Sequence, residues 1–369
     1  MLLLSQQIIA QNTQDKTRAA CPQTCNTCDF LTTTLNAIES ILEQPAQASP
    51  CAAMPILVTS GTHTINAPGT YCLTGNFDGS INITHSDVTL DLNGFSISGA
   101  LPSVTCEQGC ISSIINPDGD CFNCNDFFSN ITIRNGYLSG IDIGCCNGVQ
   151  LLDLVSSEPI LFQSSNYILL DNVIVVAPSS GDGCDINNCQ NVQIKNSVFN
   201  NNESNGLSII ASSNLLISKS IFNNNGQGFF ADTNTTNIIL FDCVASANSD
   251  AGFKINGTNF SLDLCTAMNN NILPGFLING SIGTITNCNA IGTNESDGFD
   301  IFGQNITVSN NQANNNSGYG FAGNYPTTNT THFYSNAACN NSLGNYIAVN
   351  EPQLQLGNPN FAAGFNLSN

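Results

Sequence analysis

The chain has 369 residues, 41% of them hydrophobic and 9% charged, and its 26 Asp and Glu against six Lys and Arg give a formal net charge of −20. A field of that sign repels nucleic acid, anionic lipid surfaces and acidic polysaccharides unless cations bridge. With so few charges, Asn, Ser and Thr must cover most of the exterior.

No run approaches the roughly 18 apolar residues needed to cross a membrane. The 17 cysteines point to an oxidising compartment, and an odd number leaves at least one free, metal-bound or intermolecular. The first ten residues lack a basic start, and Ser5-Gln6-Gln7 breaks their apolar run. They read either as the remnant of a signal peptide or as an ordinary helix start.

Cys21, Cys25 and Cys28 follow, and then Asp29 can cap a helix through Phe30, Leu31, Leu35, Ile38, Ile41 and Leu42, which Pro45 stops. Residues 1–54 are therefore expected to form an amino-terminal segment whose helix covers one end of the next domain or serves in oligomerisation.

From residue 55 short alternating apolar segments begin, through Ile65, Tyr71, Ile81/Ile83 and Val88/Leu90/Leu92. A break at 100–130 holds Cys106, Cys110, Cys121 and Cys124. Two pairs at that spacing either bind zinc tetrahedrally or form disulfides that staple a lateral loop. Disulfides are the expectation in a chain this rich in cysteine, and no metal is assigned. Long insertions on a rigid scaffold often carry contacts, which makes the loop one candidate for recognition.

Beyond the break the chain repeats. A glycine followed by an apolar residue recurs at Gly183, Gly206, Gly228, Gly252, Gly275, Gly298 and Gly320, at intervals of 22 to 24 residues. Ile194, Ile217, Leu240, Leu262, Ile285 and Val308 keep the same step. Alternation at period two, with Asn, Ser and Thr runs between, describes short strands and turns, so each repeat is one turn of a solenoid. Stacked in register, Phe229, Phe253, Phe276, Phe299 and Phe321 form a buried column of rings. Asn172, Asn196, Asn287 and Asn310 share one position, with Asp242 standing in, and the runs at Asn200, Asn223, Asn269 and Asn314 share another. Such side chains can bond along the axis. The recurrent glycine is expected at a corner of positive φ. Cys243, Cys265 and Cys288 also share a position, close enough either for disulfides or for a column of small side chains.

The repeat, with Gly69-Thr-Tyr-Cys-Leu-Thr-Gly-Asn76 and Asp87-Val-Thr-Leu-Asp-Leu-Asn-Gly-Phe-Ser-Ile-Ser-Gly99, resembles the right-handed parallel β-helix, or pectin-lyase-like, repeat family. The resemblance implies an all-β fold: a single right-handed parallel β-helix of about ten rungs over 55–345, with 346–369 as the carboxyl-terminal cap. It says less of function, because this architecture hosts lyases, hydrolases, adhesins and tailspikes.

Asp182/Asp185 and Asp297/Asp300 resemble the Asp-x-x-Asp part of a polygalacturonase-type motif. The family's Asp-Asp dyad, His-Gly and Arg-x-Lys are absent, so the four carboxylates are weak catalytic candidates. Asp182 and Asp297 are expected to bond turn amides. The outward positions beside the buried pairs read Asp185, Ser208, Phe230, Lys254, Leu277, Asp300, and Phe230, Lys254 and Leu277 make an apolar patch with one cation. That patch is the expected binding site, for another copy of the chain, a surface protein or a neutral glycan, with no cofactor. The expected role is a non-catalytic rod at the outside of a cell or particle; the alternative is a polysaccharide lyase or glycoside hydrolase.

Overall fold

The structure is a computed structural model that describes residues 54–57, 60–99, 104–107, 128–176, 181–324 and 331–349, with backbone alone at 104–107, 324, 348 and 349. The chain divides into two compact units, Met1–Pro45 and Ala46–Asn369. Every described residue lies in the second. The expected amino-terminal helix, Cys110, Cys121, Cys124 and the side chain of Cys106 fall outside the described residues.

What is described is a parallel β-solenoid. One turn consists of the strands Cys184–Asn187, Gln190–Lys195 and Val198–Asn200, and the next of Asn205–Ile210, Ser213–Ser218 and Ile221–Asn223. Each strand pairs in parallel with its counterpart one turn on: Cys184 with Leu207, Val192 with Leu215, Val198 with Ile221. Three parallel sheets result, here called faces 1, 2 and 3 in the order the chain visits them. About ten turns lie between Ile65 and Phe321, and the pairing runs on at both ends. Strand Val104–Glu107, inside the supposed break, joins face 1 between Phe77–Ile83 and Ile141–Gly144. At the far end Gly344–Val349 continues face 1 beyond Tyr319–Asn324, so the last strand passes residue 345.

The alternation seen in the sequence sets what is inside. Cys184/Ile186, Leu207/Ile209, Phe253/Ile255, Phe276/Ile278 and Phe299/Ile301 are all fully buried. In the ring column Phe253, Phe276, Phe299 and Phe321 stack at centroid distances of 5.1, 4.6 and 4.7 Å, and Tyr346 adds a ring at 5.3 Å. Phe229 is buried too but meets Phe222 edge-on.

Asparagine, not glycine, makes the corners. The residue that leaves face 2 is left-handed in successive turns: Asn172, Asn196, Lys219, Asp242, Leu264, Asn287 and Asn310, with φ between 49° and 57°. Asn and Asp tolerate that region best among residues with a side chain. The recurrent glycines, expected to supply positive φ, do not; none of Gly183, Gly206, Gly228, Gly252, Gly275, Gly298 and Gly320 is in that region. They are glycine because the neighbouring turn comes too close. A Cβ on Gly206 would lie 2.6 Å from Asn225 Nδ2 and 2.7 Å from the Gly228 carbonyl, and Gly183 and Gly252 are equally confined.

The asparagines in question are buried members of the polar runs. Asn202 donates to Asn225 at 2.7 Å, Asn248 to Asn270 at 2.9 Å and Asn316 to Asn341 at 2.9 Å. Their Nδ2 groups also reach strand carbonyls, as Asn225 does to Phe199 and Asn248 to Phe222. Asn269 stands one place off the register of Asn200, Asn223 and Asn314, where Met268 sits instead.

Cys243, Cys265 and Cys288 follow the left-handed corner, buried and free. Burial pushes the Cys243 and Cys265 thiols well above the usual range. Of the two readings of that column, the structure takes the column of small side chains. Cys72 and Cys145, by contrast, are disulfide-bonded.

Candidate functional site

The outward positions of face 1 form one column whose order matches the reading from sequence: Asp142, Leu161, Asp185, Ser208, Phe230, Lys254, Leu277, Asp300, Ala322. The flat parallel register places these side chains about 4.8 Å apart from turn to turn.

Phe230, Lys254 and Leu277 are thus neighbours. All three are half-buried. Lys254 Nζ lies 5.6 Å from the centroid of the Phe230 ring, within range of a cation–π attraction.

The carboxylates flank this patch without meeting across it. Asp185 and Asp300 are five register steps apart, about 24 Å. At the first end, Asp182 Oδ1 accepts the Asn205 backbone amide at 2.8 Å and Asn205 Nδ2 at 2.9 Å. At the other, Asp297 Oδ1 accepts the Tyr319 amide. These bonds tie each aspartate to the following turn. Asp300 does sense Asp297. Burial pushes Asp300 up to about 7, and the Asp297 charge adds to the rise. Burial also raises Asp297, opposed by its Tyr319 amide bond. A carboxyl near 7 can hold or release a proton at neutral pH; the second group beside it, Asp297, is engaged by the Tyr319 amide.

Arg134 does not join the carboxylates of face 1. It lies on face 2 with its Nε 3.0 Å from Asp91, one face away from Asp142. His63 lies in Ser60–Ile65 and His332 in His332–Tyr334, so these two histidines belong to strands of the solenoid. Among the described residues no group of three His, Cys, Asp or Glu could hold a metal ion.

Outward positions elsewhere are not all small or polar. On face 2, Leu216, Ile239 and Phe241 point outward, with Leu264 at the adjoining corner, each between 37% and 47% exposed. These are barer than Phe230 or Leu277. The signal was available in Leu215-Leu216-Ile217 and Ile238-Ile239-Leu240-Phe241, where apolar residues fill both phases of the alternation.

Against known proteins, the family described as "Right handed beta helix region" matches residues 115–288. No curated protein matches the chain. Among solved structures, the A-module of mannuronan C-5 epimerase AlgE4 of Azotobacter vinelandii is similar at a TM-score of 0.53, 11% identity, 80% coverage of this chain and 90% of that one. The Dettilon tailspike protein gp208 superposes at 0.45 with 10% identity, covering 80% and 60%. PfbA, a surface adhesin of Streptococcus pneumoniae, superposes at 0.37 with 11% identity, covering 79% and 85%. Identities this low show the fold alone, and the two looser superpositions carry no argument.

Proposed function

We propose, from the premise that this chain is a right-handed parallel β-helix repeat protein of the pectin-lyase-like kind, that it is a non-catalytic rod displayed on the outside of a cell or particle. The observation that carries the reading is the order of the outward column on face 1. An apolar strip with one cation occupies its centre, and the acidic groups stand at its two ends, about 24 Å apart by register. The two ends cannot act together, because acid and base in a glycosidase must lie within roughly 10 Å of each other, and at each end one aspartate, Asp182 or Asp297, is held by an amide of the next turn. The contacting surface is then Phe230, Lys254 and Leu277. Its chemistry fits a surface protein or the apolar face of a neutral glycan, and the net charge disfavours polyanions. The stapled loop expected at Cys106 to Cys124 is the second contact candidate. Localisation outside the cell belongs to the same proposal.

A second reading, a polysaccharide lyase or glycoside hydrolase, is favoured by one observation: Asp300 held near neutrality beside Asp297. One experiment addresses both. Purified chain is incubated with neutral and acidic polysaccharides, and its binding to cells or particles of the native source is measured. Binding without cleavage, lost in the double variant Phe230→Ser with Leu277→Ser, is the expected result. Cleavage that disappears in Asp297→Asn or Asp300→Asn would replace the rod with the enzyme.

A further inference from the structure

The bare apolar residues of face 2 lie in a pattern of charge that repeats when turned over. Face 2 continues at both ends into Val88–Asp91 and His332–Tyr334, and nine of its successive strands, from Ile131–Arg134 to Gln304–Ser309, surround the patch. Leu216 lies on the fifth strand and Ile239 on the sixth, directly paired. At the adjoining corner of those two strands stand Lys219 and Asp242, and among the described residues neither side chain is in an ion pair. One column over, Lys195 lies on the fourth strand, Ser218 on the fifth, Phe241 on the sixth and Asp263 on the seventh.

We infer that face 2 is the interface of a twofold homodimer. The axis runs along the strand direction, between the turns that carry Leu216 and Ile239. Such an axis reverses the order of turns and keeps the position along each strand, so the fifth strand of one copy faces the sixth of its partner. Leu216 then meets Ile239, Ser218 meets Phe241, and Lys219 meets Asp242. The fourth strand faces the seventh, which brings Asn196 to Leu264 and Lys195, already 3.1 Å from Asp171 of its own chain, to Asp263 of the partner. Every cation of the patch meets an acid, and every contact occurs twice, as an isologous interface requires.

The area is sufficient. Six-residue strands span about 20 Å, and nine strands at about 4.8 Å cover about 40 Å. That is about 800 Å² per copy, the ordinary size of a specific interface. In a chain of net charge −20, two copies repel. A face that carries cations in matched positions is where they can meet. The inference concerns face 2 and stands apart from the face 1 contact proposed above.

Sedimentation equilibrium on the full chain tests it, with circular dichroism to confirm that each variant folds. Lys219→Asp and Asp242→Lys sit at a corner that already accepts Asn, Lys, Asp and Leu, so folding should survive. The expected result is a concentration-dependent dimer whose Kd rises about tenfold or more in either single variant and returns toward the original in the double swap. Ile239→Lys should leave monomer. A chain that stays monomeric up to about 100 μM, or a dimer indifferent to Ile239→Lys, overturns the inference. Single variants that weaken the dimer without rescue by the double swap overturn the proposed axis.

Discussion

At the scale of the residue, the abundance of asparagine has a conformational cause. Among the described residues thirty other than glycine have positive φ, and asparagine is the commonest of them. One such position opens face 2 at Asn191, Asn214, Asn237 and Asn259, where each Nδ2 bonds the side-chain oxygen one turn back: Asn214 to Asn191 at 3.1 Å, Asn237 to Asn214 at 2.8 Å, Asn259 to Asn237 at 2.6 Å. The next residue in the column is Ile282, at φ 59°, before Asn305 restores the pattern. A β-branched residue is strained there, at about 1–2 kcal/mol, and its side chain is 56% exposed with nothing to bury it. Ile282→Asn should therefore stabilise the fold by about 1–2 kcal/mol, by relief of strain and a bond to Asn259. Urea denaturation measures it; an unchanged or lowered midpoint would refute the account of the column.

At the scale of the element, the strands and their inward residues were legible because alternation and a fixed period survive any choice of apolar side chain. What a period cannot show is volume exchanged between adjacent turns. Phe260 and Gly283 occupy the inward position held by Val192, Leu215, Ile238 and Ile306 in other turns. The Phe260 ring fills the space above the glycine, and a Cβ there would lie 2.3 Å from two ring carbons. One turn is overfilled because its neighbour is empty. Gly283→Ala should cost about 1–3 kcal/mol as the buried ring is forced from its rotamer. Phe260→Val in the same chain should recover most of the loss by restoring an ordinary pair, which a double-mutant cycle in thermal unfolding would register as coupling. Independent, additive effects would mean that the ring does not rest on Gly283. The candidate site was legible in the same partial way. Register predicted the neighbours Phe230, Lys254 and Leu277, since stacking turns fixes them. It did not reveal that the recurrent glycines yield to buried asparagines, because which member of an Asn run turns inward depends on the corner geometry. Nor do the polar residues of the repeat point to the apolar residues of face 2.

At the scale of the whole molecule, the acidic excess and one displaced carboxyl act in the same direction. Ordinary carboxylates titrate near pH 4 and stay ionised across the neutral range, so the self-repulsion of a chain at −20 changes little there through them. Asp300 differs, since burial and the Asp297 charge raise it to about 7 when folded. An unfolded aspartate returns to about 4. Between those values the folded state binds more protons than the unfolded one, so stability rises as pH falls from about 8 toward 5. Asp297, also raised in the fold, contributes with the same sign. Asp300→Asn removes the buried charge and keeps the shape. It should raise the melting temperature at pH 8, where the native carboxylate is ionised at a cost, and leave little difference at pH 5, where that carboxyl is already neutral. Added salt screens the general repulsion but leaves the desolvation of Asp300 in place, so the gap between the variant and the original at pH 8 should persist at 0.5 M NaCl. Melting curves at the two pH values and two salt concentrations separate the effects. If the gap vanished in salt, the rise in Asp300 would belong to the net charge of the molecule and not to its place on face 1.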